Sequence, residues 1–337
     1  MRLQPLPPEK HRQWDRLIAP YRMRELFHQS VWLDYLEATQ GVKKALYQLQ
    51  VGSEILGYFC GGITVKGPFK ILGSPLSGWG TNFMGPIVNE DVDPAAFLDA
   101  LDDLARRERI SMIEIESRIF SSEVMAKSGY EAAAGQTYLI HLTPRDPEKV
   151  WKTLDKKRRT GIRKATKNGL TVEDTDDPKV VDEYFRQYCD LLAGKNMVPT
   201  YSLERPRKLF NYLKSKDMLF ALRVRTKSGE VVATGLFPHD DRSMYFWGGA
   251  SVLSSRHLCP NDLLHWRAMT LAAQRGIELY DMSGYGQFKK KFGGELVHLQ
   301  RWHKCYSSVT RVARYVYRSQ YFLRQKLLGR FAKRAEG

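Results

Sequence analysis

The segment Phe288-Lys289-Lys290-Lys291-Phe292-Gly293-Gly294-Glu295 combines residue types that can act on a reacting carbonyl. Its two phenylalanines stand four apart and share one helical face, so the lysines between them point elsewhere. Gly293-Gly294 then lets the chain turn sharply into a following strand. The segment follows Asp281-Met282-Ser283-Gly284-Tyr285-Gly286, a loop at the end of a strand-like run, where ligands commonly bind in open α/β sheets. A lysine placed there can neutralise a phosphate or stabilise negative charge on a carbonyl oxygen during acyl transfer. The same spacing also suits a short amphipathic turn with a solvated lysine face.

A second candidate runs from Trp151 to Leu170. Residues 152–167 hold eight basic side chains and one acid, a local charge of +7. Trp151, Leu154, Ile162 and Ala165 are spaced to line a buried stripe, with Lys156, Arg158, Arg159, Arg163, Lys164 and Lys167 facing outward. Like charges four apart repel, so such a helix is either a phosphate- or membrane-contacting face or an unusually basic solvated one. The loop from Gly194 to Ser202, carrying Lys195 and Tyr201, joins polar, apolar and aromatic residues, as a substrate-contacting loop or a plain connection. Tyr245 and Trp247 alternate with Phe246 on a strand, so one set faces the core and the other can reach a groove.

Conventional catalytic signatures are missing: no GxSxG elbow, HExxH, P-loop, or GxGxxG opening a helix after a strand. His265 and His303 read as structural. Orienting an amine beside an activated ester needs few dedicated side chains, so acyl transfer stays open. Cys60, Cys189, Cys259 and Cys305 form no CxxC pair and no zinc spacing, which fits reduced thiols and suggests no metal.

The elements that must position these residues occur in one order twice. A strand pair around Gly52-Ser53, a helix over 94–107 and strands near 111–118 and 136–142 make the first pass. Helices over 178–193 and 204–214, three strands within 218–251, a helix from Pro260 to Gly276 and the strand before Asp281 make the second. This order predicts a mixed α/β fold of two similar lobes: 1–145, 146–308, and a basic C-terminal helix in 309–337. The chain has 337 residues, 43% of them hydrophobic, room for two buried cores. No apolar stretch has the length of a signal peptide or a membrane span, so a cytoplasmic protein is expected. The net charge of +16 resides almost wholly in 152–167 and in 311–334, which carries +8. Charge so focused attracts a polyanion: nucleotide phosphates, tRNA or an anionic membrane.

Together, FKKKFGGE after YDMSG, the basic WKTLDKKRRTGIRKATKNGL, and CPNDLLHWRAMTLAAQRGIELYD resemble the Fem-type transferases, from about Trp32 to Cys305. That resemblance implies two tandem GNAT-like (acetyltransferase-type) domains, mixed sheets flanked by helices. It implies an N-acyltransferase that moves an activated acyl or aminoacyl group onto an amine of a cell-envelope precursor, peptidoglycan or polysaccharide. It assigns Lys289 as the catalytic cation, Lys195, Tyr201 and Tyr245 as substrate contacts, and acyl-CoA or aminoacyl-tRNA as donor, with no tightly bound cofactor. Arg158, Arg159, Arg163, Lys164 and the helix start at Asn261 are the expected anion contacts. Two departures stand out. Residues 151–217 leave no room for the helical hairpin that some relatives insert. Ser255–Asn261 also lacks the glycines that cradle coenzyme A pyrophosphate.

Val309, Val312, Val316, Leu323, Leu327 and Phe331 recur at helical spacing among arginines and lysines, a pattern suited either to lying on the inner face of the cytoplasmic membrane near lipid-linked precursors or to packing on the second lobe with a solvated basic face. The competing expectations are a non-catalytic protein binding nucleic acid or anionic membrane through its basic segments, and a scaffold for envelope assembly.

Overall fold

Apolar residues alternate with polar ones over Lys43–Val51 and Glu54–Lys66, and Gly52, at φ 58°, supplies the left-handed residue that folds them into a hairpin. The computed structural model describes residues 1–133, 135–299 and 301–320. Two compact units result, Met1–Gly135 with His298–Tyr317, and a second built on Gln136–Val297.

In the first unit the hairpin, β2 (Lys43–Val51) and β3 (Glu54–Lys66), follows β1 (Arg2–Pro5) and precedes β4 (Phe69–Ser74), β5 (Ile87–Val88), β6 (Met112–Glu116) and β7 (Glu131–Ala133). A late strand, β16 (Arg301–Cys305), enters between β6 and β7, antiparallel to both, and gives one eight-stranded sheet in the order β1-β2-β3-β4-β6-β16-β7, with β5 on β3. Helices α1 (Trp14–Ile18), α2 (Ser30–Gln40), α3 (Pro94–Glu108) and α4 (Ser122–Lys127) accompany it. Helix α3 starts at the Asp93 cap, whose carboxylate accepts from Ala95 and Ala96 N–H, and buries Phe97, Leu98, Leu101 and Leu104.

The second unit runs β8 (Gln136–His141), α5 (Pro147–Thr153), α6 (Lys156–Lys167), β9 (Thr171–Asp174), α7 (Lys179–Ala193), α8 (Glu204–Lys214), β10 (Leu219–Arg225), β11 (Val231–Pro238), β12 (Ser243–Tyr245), β13 (Gly248–Ser251), α9 (Pro260–Gln274), β14 (Leu279–Asp281), α10 (Gln287–Lys290) and β15 (Glu295–His298). It holds two four-stranded sheets, β13-β11-β10-β9 and β12-β14-β8-β15. Its core gathers Phe220, Leu222, Phe237, Met244, Leu264, Met269 and Tyr280.

The boundary expected at 145/146 follows a proline-rich break, whereas strand pairing groups the residues otherwise. Strand β8 belongs to the second unit because Ile140 pairs with Tyr280, and β16 belongs to the first because Trp302 pairs with Ile115. The basic stripe is two helices, since Asp155 caps α6 by accepting from Lys157 N–H at 2.7 Å. Leu323, Leu327 and Phe331 lie outside the described residues. Among the described residues no helix is long and apolar enough to cross a membrane.

Candidate active site at the split between two sheets

Strand β12 runs parallel to β14, with Tyr245 opposite Asp281, while β13 runs antiparallel to β11, with Gly248 opposite Leu236. Phe246 and Trp247 lie between them. Phe246 N–H donates to Asp281 O at 2.9 Å, and Trp247 N–H donates to Leu236 O at 3.2 Å. Two consecutive residues thus bond to different sheets, and the pairing opens where both side chains stay half-buried. Glycines follow because the next positions are crowded: a Cβ on Gly248 would collide with the Tyr184 hydroxyl, and one on Gly249 would come within 2.8 Å of the Phe246 ring.

Lys289 stands at this split. Its ammonium lies 5.3 Å from the centre of the Phe246 ring and donates to Met282 O at 2.6 Å and Ser283 O at 3.1 Å. An ammonium has three N–H donors, so one is left over. Burial lowers its pKa to about 8, against the opposing pull of the Asp281 carboxylate. The loop that supplies the carbonyls is set by Thr137 on β8. The Thr137 hydroxyl donates to Asp281 Oδ1 at 2.5 Å and accepts from Gly284 N–H at 2.9 Å, while Ser283 N–H adds a bond to Asp281 Oδ1 at 2.7 Å. Ser283, Gly284 and Gly286 all have positive φ, which is why glycines punctuate this loop.

Beneath the lysine, His265 of α9 is fully enclosed. Its Nδ1 is 2.7 Å from the Tyr280 hydroxyl, and the rings of Phe246 and Phe292 lie 4.7 and 5.0 Å from its own. Burial first, then the Lys289 and Arg158 charges, push its pKa down to about 3, so the imidazole is neutral and serves the packing. Next to it, Arg158 of α6 forms an ion pair with Asp262 of α9, and its guanidinium lies 4.7 Å from the Phe288 ring. Burial holds the Asp262 carboxyl up, at about 6, despite that arginine. Gly161 admits the pair, since a Cβ there would collide with the Asp262 carboxylate. The two phenylalanines of the lysine motif do share a face, 5.2 Å apart, and that face embeds Arg158.

Trp247 faces a different cluster. Tyr201 lies 5.4 Å from it, stacks on Tyr188 at 5.0 Å, and shares a 2.5 Å hydrogen bond between its hydroxyl and that of Tyr184. Arg205 covers the rings of Tyr201 and Trp247 at 5.3 and 5.7 Å.

The residues anticipated from sequence therefore divide. Lys289 and Tyr201 border the split through Phe246 and Trp247 respectively. Tyr245, expected in a groove, is buried at 2% exposure, because alternation stops where β12 ends and passes the accessible role to Phe246 and Trp247. Arg158, expected on phosphate, is turned inward to Asp262. Arg159 is half-buried with Nη1 3.4 Å from Lys152 O, while Arg163 and Lys164 stay exposed on α6, the former 5.4 Å from the Trp151 ring. Lys195 is exposed in the turn after α7, and Asn261 donates to Ser251 Oγ at 3.0 Å in the first turn of α9. The segment before α9 is a tight 3-10 helix, Leu253–Leu258, in place of a glycine cradle. Thr137 and Asp262 escaped the sequence reading, and Asp281 and Phe246 entered it only as a loop residue and a strand residue without a role of their own. The signals available for them were the acid closing a strand before Ser-Gly and the Gly248-Gly249 pair.

Residues 154–291, which span α6 to Lys291, match the family model described as an acetyltransferase (GNAT) domain. That match lies within the second unit, and the fold of the chain is similar to that of solved GNAT-type proteins. FemX superposes with a TM-score of 0.70 at 14% identity, covering 90% of this chain and 97% of FemX. L-PGS from Bacillus licheniformis gives 0.54 at 13%, covering 96% and 97%, and a tandem GNAT protein from the clavulanic acid biosynthesis pathway gives 0.52 at 11%, covering 90% and 98%. At these identities the likeness is one of fold. By sequence, no curated protein matches the chain. Lys289 falls inside the matched segment, at the point where the two sheets of the second unit part.

Proposed function

We propose that the protein is an amide-forming N-acyltransferase whose acceptor is an amine of a cell-envelope precursor, peptidoglycan or polysaccharide, and whose donor is an acyl-CoA or aminoacyl-tRNA ester. The observation that carries this is the Lys289 ammonium, anchored by two carbonyls with one N–H to spare, beside the sheet split of a GNAT domain. The acceptor nitrogen attacks the ester carbonyl carbon, and the spare N–H meets the oxygen as it becomes an oxyanion. Collapse forms the amide and expels the thiol or hydroxyl, and the proton lost by the amine balances the leaving group. The half-buried Phe246 and Trp247 keep water from the intermediate, and the cluster of Tyr201, Tyr188 and Arg205 is placed to hold a substrate arm. The exposed cations Arg163 and Lys164 supply attraction for donor or acceptor phosphates. GNAT domains use acyl-CoA as co-substrate, which favours that donor, while the 3-10 turn before α9 favours one held outside the pyrophosphate cradle. The enzyme works in the cytoplasm, at the inner face of the membrane.

The test is thermal stabilisation by acyl-CoA esters, charged and uncharged tRNA, and nucleotide-linked sugar-peptides, followed by turnover with the donor that binds. A saturable shift from one donor, with amide formed from an envelope amine, is the expected result. Binding of RNA or vesicles that weakens steeply with salt, with no donor shift and no product, would replace the enzyme with the non-catalytic binder.

A further inference from the structure

An amphipathic helix on a globular protein normally turns its apolar stripe inward. The helix over 308–320 does the reverse. At 100° per residue, Val309, Val312 and Val316 share an arc of about 60°, Arg311, Arg314 and Arg318 share the opposite one, and Tyr315 and Tyr317 mark the two borders. The side that meets the first unit is the flank between these arcs, through Thr310, Ala313 and Arg314, which leaves the valines, Arg311 and Arg318 exposed. Thr310 is buried at 5% exposure, Arg311 Nε lies 3.5 Å from Glu131 of β7, and the Tyr317 hydroxyl lies 3.3 Å from Lys66 at the end of β3. The valines and both tyrosines stay 44% to 74% exposed, and the contact with Lys66 brings in its neighbour Val65, 68% exposed. At the foot of the helix a 250 Å³ cavity is lined by Arg106, Arg109, Ser111, Ser307 and Thr310.

We infer that this helix seats the first unit on an anionic lipid bilayer, with Val309, Val312 and Val316 in the acyl boundary and the tyrosines at headgroup level. Charge selects this occupant over two others. Residues 311–334 hold eight basic side chains and no acid, so a second copy, or the chain's own continuation folded back, would bring like charges together. An anionic surface neutralises them, and each cation near it adds to the attraction. The inference does not depend on the acyl-transfer reading, because it concerns a face of the first unit and not the sheet split.

The experiment is co-sedimentation of the full chain with vesicles of phosphatidylcholine, alone or mixed with phosphatidylglycerol, for the wild type and for Val312→Glu/Val316→Glu. Both positions are exposed, so the double variant keeps the wild-type melting curve. The wild type should partition onto the mixed vesicles, more weakly as salt rises, and the variant at least about tenfold less. At matched ionic strength, inorganic phosphate in place of chloride should leave that partition standing, which separates a bilayer surface from a free-phosphate site. Equal partition of variant and wild type, equal partition onto neutral vesicles, or a wild type that ignores vesicles and self-associates through these valines in light scattering would each overturn the inference. Turnover on soluble substrates is read alongside. Its absence in the wild type would count against the enzyme reading alone.

Discussion

The two units use the same kind of strands to different ends. In the first, Arg301 on β16 donates from Nε to Glu116 at 2.6 Å, from Nη1 to Ser77 Oγ at 3.3 Å and from Nη2 to Thr81 O at 3.1 Å. Its charge is met by Glu116, fully buried, and its sheet continues unbroken through β4, β6 and β16. In the second, the run from Ser243 to Ser251 changes sheets halfway, and the cation beside the break keeps a donor to spare. A cation neutralised by a buried carboxylate inside a closed sheet holds structure together. An unsaturated one at an opening can meet charge that appears only during a reaction.

Exchanging the two cations for neutral residues should separate these roles. Arg301→Met removes the guanidinium that meets the buried Glu116 carboxylate, so stability should fall by about 3–5 kcal/mol in chemical denaturation, with the remaining folded enzyme turning over at the wild-type rate. Lys289→Ala should do the opposite. Its melting curve should stay near wild type while kcat drops by roughly 10²–10³-fold, the cost of one oxyanion donor. Losing both stability and turnover together in either variant would erase the distinction.

How much of this was legible in the sequence follows from the range of the forces involved. Helices α3, α7 and α8 and the β2–β3 hairpin were readable because their signals are local: apolar period, Asp or Pro at the start, Gly at the turn. The lysine motif was readable for the same reason, as two phenylalanines four apart before Gly-Gly. The entry of β16 into the first sheet was not, since strand pairing across nearly two hundred residues of sequence leaves no local mark. The same holds for Arg158, which looked like one outward cation among six and is set apart only by Asp262 and Gly161, brought to it by the packing of α6 on α9. Tyr245 was misplaced because its groove role came from the resemblance, while alternation, read through Trp247 two residues past the end of β12, left open which side faces the core.

Smaller effects sharpen the comparison inside the second unit. Tyr201→Phe removes one half of the hydroxyl pair with Tyr184 while keeping the stack on Tyr188. If this cluster holds a substrate arm, KM should rise by several-fold, in keeping with about 1 kcal/mol for one hydrogen bond, and kcat should hold. A change confined to kcat would move the cluster into the chemistry instead. Smallest of all, Arg163→Gln/Lys164→Gln on the exposed face of α6 should flatten the salt dependence of donor binding by up to two counter-ions, with kcat unaltered. An unchanged salt slope would leave α6 as a solvated face.

The most direct test of the central claim is kcat as a function of pH for the wild type and for Lys289→Arg, with the donor identified by thermal stabilisation. Burial sets the Lys289 pKa at about 8, and the account requires the charged form. Wild-type kcat should therefore fall as pH rises through about 8, while the arginine variant, whose guanidinium stays protonated, keeps part of its activity and loses that limb. A wild-type rate that instead rises through about 8 would contradict the account, because it would make the neutral amine of Lys289 a proton acceptor rather than the cation that meets the oxyanion.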